Sequence, residues 1–131
     1  MLDSGDHIGL HRVRVRYCET DRMGVAHHGS YVAWFEEGRT EWLRARGKTY
    51  RQLEDEGILL QVTELTARYL RSTTYDDLLE VKTRVTERKK ASITLGYEVS
   101  FAESGELVAT GTTKLACVDR QGRVRRLPEQ I

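Results

Sequence analysis

The chain has 131 residues but a single proline, two cysteines and almost no net charge. Each shortage excludes something. Pro128 lies in a short tail, and no repeat, linker or low-complexity stretch divides the chain. One domain is therefore expected, large enough to bury a core. Cys18 and Cys117 stand far apart without metal-ligand spacing. That argues against a disulfide-built secreted scaffold and for two reduced thiols. Lys and Arg total 21 against 20 Asp and Glu, a balance that leaves no footprint for nucleic acid or a membrane surface. No run approaches the ~18 apolar residues of a membrane span, and none at the start resembles a signal peptide. The expected location is the cytoplasm.

What is present is alternation, then one amphipathic stretch, then more alternation. Residues 1–9 read as a loose leader. From Leu10, Val13, Val15 and Tyr17 alternate with Arg12, Arg14 and Arg16, the period of a half-buried strand. Residues 19–29 have no clean periodicity and read as a loop. Ser30 is the expected N-cap of a helix carrying Tyr31, Trp34, Phe35, Trp42 and Leu43 at helical spacing up to Gly47. A shorter helix is expected over Thr49–Glu56. Ile58–Leu70, Leu78–Glu87, Ser92–Phe101 and Leu107–Asp119 read as strands, and the short gaps between them favour antiparallel neighbours. The expected architecture is α+β: one long helix covered by a five-stranded antiparallel sheet. Uncovered edges would favour self-association.

The chemistry concentrates in Tyr-Cys-Glu-Thr-Asp-Arg-Met-Gly-Val-Ala-His-His-Gly-Ser-Tyr, residues 17–31. Asp21 lies where a strand gives way to a helix and suits a nucleophile or general base toward a carbonyl. Glu19 is the alternative working acid, or a like charge acting on Asp21. His28 and its neighbour His27 suit a substrate contact or an orienting group. Their side chains diverge and no His follows at a ligand spacing, so no metal site is expected. Gly24 and Gly29 suit a turn that aims main-chain N–H groups at a ligand near the helix start, where the dipole favours negative charge. Glu36 borders the apolar face of the helix; it is either a substrate contact or the partner of Arg39 or Arg44. Arg88, Lys89 and Lys90 lie in an expected hairpin turn and suit the phosphates of an anionic carrier. Arg68 and Arg71 flank the turn before it.

Residues 15–31 together with Phe35-Glu36-Glu37-Gly38-Arg39-Thr40-Glu41-Trp42-Leu43 resemble the hotdog-fold acyl-CoA thioesterases, in the branch of the 4-hydroxybenzoyl-CoA and Tol-Pal-associated enzymes. Tyr75-Asp76-Asp77-Leu78 and Arg126-Leu127-Pro128-Glu129 agree, so the resemblance spans roughly residues 11–131. It implies hydrolysis of an acyl-CoA thioester without a cofactor. By it, Asp21 matches the catalytic carboxylate, and the backbone N–H at His28 matches the group that polarises the carbonyl. Gly24, Val25, Tyr31 and Glu36 become substrate-binding candidates beside His28, and Arg88, Lys89 and Lys90 candidates for the CoA phosphates. It also implies a homodimer or homotetramer with sites at the interface. Glu19 stands where the family commonly has Asp, and Met23 and His27 depart from its usual small and aromatic residues, which bears on substrate choice. A hotdog hydratase or dehydratase is the alternative, against which the single proline counts, since those sites lie beside proline-rich loops. A non-catalytic acyl-CoA binder is the other.

Overall fold

The computed structural model describes residues 7–131. A strand β1 (Gly9–Arg14) is followed by a helix α1 (His28–Ala45) and a short helix α2 (Tyr50–Asp55). Four strands complete the chain: β2 (Leu59–Tyr69), β3 (Leu78–Arg88), β4 (Ser92–Phe101) and β5 (Leu107–Val118). They form one five-stranded antiparallel sheet in the order β1-β3-β4-β5-β2. This is the architecture the hotdog resemblance implies.

Helix α1 forms because its apolar residues recur once per turn. Tyr31, Trp34, Phe35, Gly38, Trp42 and Leu43 are all buried, and Arg39 shares their stripe. That stripe packs on β1, β3 and β4. Beneath it the inward residues of the sheet, among them Leu79, Val81, Leu95, Val99 and Leu115, are at most 1% exposed. Helix α2 opens with a capping box, in which the Thr49 hydroxyl accepts the Gln52 N–H and the Gln52 side chain accepts the Thr49 N–H.

Three expectations shift. Tyr17 does not continue the first strand: the chain leaves β1 after Arg14, turns through a single 3-10 turn at Tyr17–Glu19, and leaves Tyr17 77% exposed. The leader is shorter than nine residues. His7 stacks on Trp42 at 5.7 Å between ring centroids, and Gly9 already pairs with Thr83; residues 1–6 lie outside the described residues. Ser30 is not the N-cap. Helix α1 starts earlier, after His27, and Ser30 is buried with its hydroxyl donating to the Glu19 carbonyl at 2.8 Å. An adjacent loop carbonyl outbid the usual cap position, because a buried hydroxyl needs a partner.

Candidate functional site

The loop between β1 and α1 is built around two acids with different surroundings. Glu19 is 5% exposed. Its carboxylate accepts the Arg16 N–H at 2.7 Å, the Arg16 guanidinium at 3.2 Å and the Trp34 indole N–H at 3.0 Å. Burial pushes this carboxyl up, but the Arg16 and Trp34 donors prevail and hold it below its ordinary value. Its main-chain carbonyl meanwhile accepts both the Ser30 hydroxyl and the His27 N–H. Glu19 therefore ties the loop to the helix start, and both of its carboxylate oxygens are occupied by that task.

Asp21 is the exposed one. Its Oδ1 accepts the Met23 N–H at 2.8 Å, and its carbonyl accepts the Gly24 N–H at 2.9 Å. The tight turn these bonds close requires the positive φ of Gly24, +83°. The Gly24 N–H is thus spent within the turn, not aimed at a ligand. Val25 returns its carbonyl to the Asp21 N–H and bridges to Thr74. Gly24 and Val25 shape the Asp21 turn and are not among the residues that line the cleft beside it.

Beside this turn lies an open cleft of about 350 Å³ lined by Asp21, Ala26, His27, His28, Tyr31 and the segment Tyr69–Ser72. His28 and Gly29 open α1, and their backbone N–H groups have no acceptor among the described residues. Free first-turn N–H groups at the positive end of a helix dipole favour a developing negative charge. Tyr31 is 3% exposed, its hydroxyl bonds to Thr73 at 3.1 Å, and burial pushes its phenol up. Tyr69 meets Tyr31 edge to face at 5.0 Å between centroids. A carboxylate, unpaired N–H groups at a helix start and an aromatic wall beside one cavity can bind a carbonyl compound, attack it and hold the resulting oxyanion.

The remaining site candidates fall elsewhere. Glu36 is exposed and outside the cleft, because the buried stripe runs through Phe35 and Gly38 and leaves position 36 on its flank. Neither suggested partner pairs with it. Arg39 is 8% exposed and donates to the hydroxyls of Tyr50 and Tyr97, and Arg44 pairs with Glu41. The turn at Arg88–Lys90 follows the far end of β3, whose near end adjoins the Asp21 loop through the Val15–Asp77 and Val25–Thr74 contacts. At about 3.3 Å per residue, β3 sets that turn roughly 30 Å from the cleft in the same chain. Sequence reasoning missed Tyr69, Leu70 and Ser72, which a strand end carries in from later in the chain. The signal available was Tyr69 closing an alternating run just before a turn. No cluster of three or more His, Cys, Asp and Glu gathers among the described residues.

Comparison with known proteins gives four findings. A model of the Thioesterase-like superfamily matches residues 15–131. The acyl-CoA thioesterase YbgC of Haemophilus influenzae is 38% identical over 120 residues, covering 91% of this chain and 85% of that protein. The acyl-CoA thioester hydrolase YbgC of Escherichia coli O157:H7 is 34% identical over 120 residues, covering 91% and 89%. Among solved structures, a DHNA-CoA thioesterase from Staphylococcus aureus matches with a TM-score of 0.87 at 36% identity, covering 92% of this chain and 80% of that one.

Proposed function

The chain belongs to the thioesterase-like superfamily, and from that premise we propose that it hydrolyses an acyl-CoA thioester to a free carboxylic acid and CoA at the Asp21 cleft. The observation that carries this reading is the juxtaposition of Asp21 and His28 around one cavity, where the unpaired N–H groups of His28 and of Gly29 next to it open the helix. In the mechanism, the thioester carbonyl oxygen lies against those N–H groups. Asp21, exposed and with Oδ2 uncommitted, either attacks the carbonyl carbon directly or takes a proton from an attacking water. In the first course the C–S bond breaks as the thiolate leaves, and water then cleaves the mixed anhydride. In the second, water adds, and the thiolate leaves with the proton that Asp21 holds. Thioesters are already activated, so one carboxylate and a pair of donors suffice without a full triad. His28 contributes its main chain, and its imidazole lines the entrance beside His27.

Assembly is part of the proposal. β2 is a sheet edge of 11 residues; Val62, Leu65 and Tyr69 in it and Leu70 just after it are between 40% and 48% exposed. An edge that long and that apolar is completed by a second copy, giving a dimer or a tetramer. A basic turn at Arg88–Lys90 then reaches a CoA phosphate only from another copy's cleft or none. No helix of the described residues is long and apolar enough to cross a membrane, and the two free thiols suit the cytoplasm. Asp21→Asn keeps the Oδ1 acceptor of the turn and should lose most release of free thiol from acyl-CoA while its urea melt stays in place. Near-normal turnover in that variant would refute the mechanism. Ligand binding with no thiol release from the wild type would instead make the protein a binder.

A further inference from the structure

We infer that Arg71 recognises an anionic oxygen of the substrate inside the cleft, either a carboxylate on the acyl group or a phosphate on its carrier; the inference rests on the thioesterase reading above. The backbone beneath Arg71 is fixed. The N–H groups of Leu70 and Arg71 both donate to the carbonyl of Val108, at 2.8 and 3.1 Å, and Val108 is fully buried. The side chain is delivered by a rigid strand end, and it lines the same cavity as Asp21, His28 and Ser72.

Its present partner is easily replaced. Arg71 Nε lies 3.1 Å from Glu106 Oε2, but the two side chains are 58% and 47% exposed. A pair so open to water is weak, and exchanging Glu106 for another oxyanion loses little. The terminal amino groups of the guanidinium make no hydrogen bond among the described residues. They offer the planar fork that matches a carboxylate or phosphate through two parallel bonds.

Charge at the cavity points the same way. Its acid is Asp21, which repels an anion, and its permanent cation is Arg71. The basic turn at Arg88–Lys90 is too distant within the chain to take that part. Arg68, two residues along the edge strand from Leu70, lies between the helix-facing Ala67 and Tyr69, so alternation turns it to the other side of the sheet. Arg71 is thus the group that makes this cleft hospitable to a charged thioester.

The test uses the full chain and four substrates: hexanoyl and glutaryl thioesters, each on CoA and on N-acetylcysteamine. If the anion is a carrier phosphate, Arg71→Ala raises KM about tenfold for both CoA esters and spares both cysteamine esters. If it is the acyl carboxylate, the rise of about tenfold falls on both glutaryl esters whatever the carrier. Arg71→Lys recovers part of the loss, and Glu106→Gln lowers KM for the affected substrates. Arg68→Ala, which removes the same charge from the opposite face, is the control. The inference is overturned if Arg71→Ala leaves KM within twofold for all four substrates, or lowers kcat alike for all four with KM unmoved. Calorimetric titration of CoA and of glutarate keeps the question separate from turnover. A wild type that releases no thiol but binds one of them more tightly than Arg71→Ala sinks the thioesterase reading and upholds Arg71. Equal binding by both proteins sinks the role of Arg71.

Discussion

Replacing Glu19 by Gln tests whether one acid of the loop is structural and the other chemical. The Glu19 Oε2 accepts Trp34 and the Arg16 guanidinium, and Oε1 accepts the Arg16 N–H. A glutamine keeps one oxygen, so placing it toward Trp34 turns its NH₂ against the Arg16 N–H, and the reverse orphans the indole. Either way a buried donor loses its partner, at a cost of about 1–3 kcal/mol. The bond from Trp34 or Arg16 that survives is no longer charge-assisted, which adds about 1 kcal/mol. The Arg16 guanidinium is mostly exposed, so its ion pair adds little. The sum is about 3 kcal/mol, a large share of the 5–15 kcal/mol typical of a whole domain. In urea melts at pH 7 it appears as a lower midpoint, and in a thermal scan as a Tm lower by about 10 °C. The pH dependence has a definite sign. Because the folded carboxyl is held below its ordinary value of 4.5, its contribution is fully present above that pH and fades as pH falls through the folded pKa. The gap between wild type and Glu19→Gln therefore narrows below pH 4.5. A variant that melts with the wild type at pH 7, or a gap that widens in acid, would show this account of Glu19 to be wrong.

Two substitutions in the sheet probe how α1 is seated. A Cβ at Gly111 meets the Phe35 ring and, at 2.7 Å, the carbonyl oxygen of Thr66. Phe35 is stacked on Tyr97 and has nowhere to retreat, so Gly111→Ala should lower stability by roughly 1–3 kcal/mol in urea melts; a loss below about 0.5 kcal/mol would mean that the helix shifts freely. Thr83 is fully buried and its hydroxyl has no partner among the described residues. Thr83→Val keeps the shape and removes the orphaned group, and should raise stability by about 1 kcal/mol; a destabilised variant would mean that the hydroxyl is satisfied in solution.

The sequence disclosed its periodic parts well, because burial leaves a regular mark. Ser92–Phe101 stands as a strand over the span that its alternation indicates, and the stripe from Tyr31 to Leu43 faces the sheet. The loop before α1 was harder. Its order comes from single hydrogen bonds and not from repetition, so nothing in the local pattern tells Glu19, bound to a tryptophan 15 residues away, from Asp21, bound within its own turn. Ser30 looked like a cap because its residue type fits one, while its actual partner is a carbonyl 11 residues earlier. Glu36 lies outside the cleft for a different reason: the helical phase was correct, but bordering an apolar stripe does not decide whether a long charged side chain lies over it or in solvent.

The same long-range logic explains why the cleft is only partly walled by one chain. Its floor comes from α1 and the Asp21 turn, which are local to each other, but its outer wall is Tyr69–Ser72 at the end of β2. That strand is one of the two edges of the sheet, and Tyr69 at its end and Leu70 just beyond, at 47% and 48% exposed, also line the cleft. Any chain that pairs with β2 must therefore also bound the cavity. A sheet can close this edge without changing a residue of the Asp21 turn, because that turn is held by its own bonds among Asp21, Met23, Gly24 and Val25. On the proposed mechanism, chemistry and enclosure would thus have separate supports: Asp21 and the helix start are fixed within one chain, and a chain paired with β2 would define the rest of the cavity.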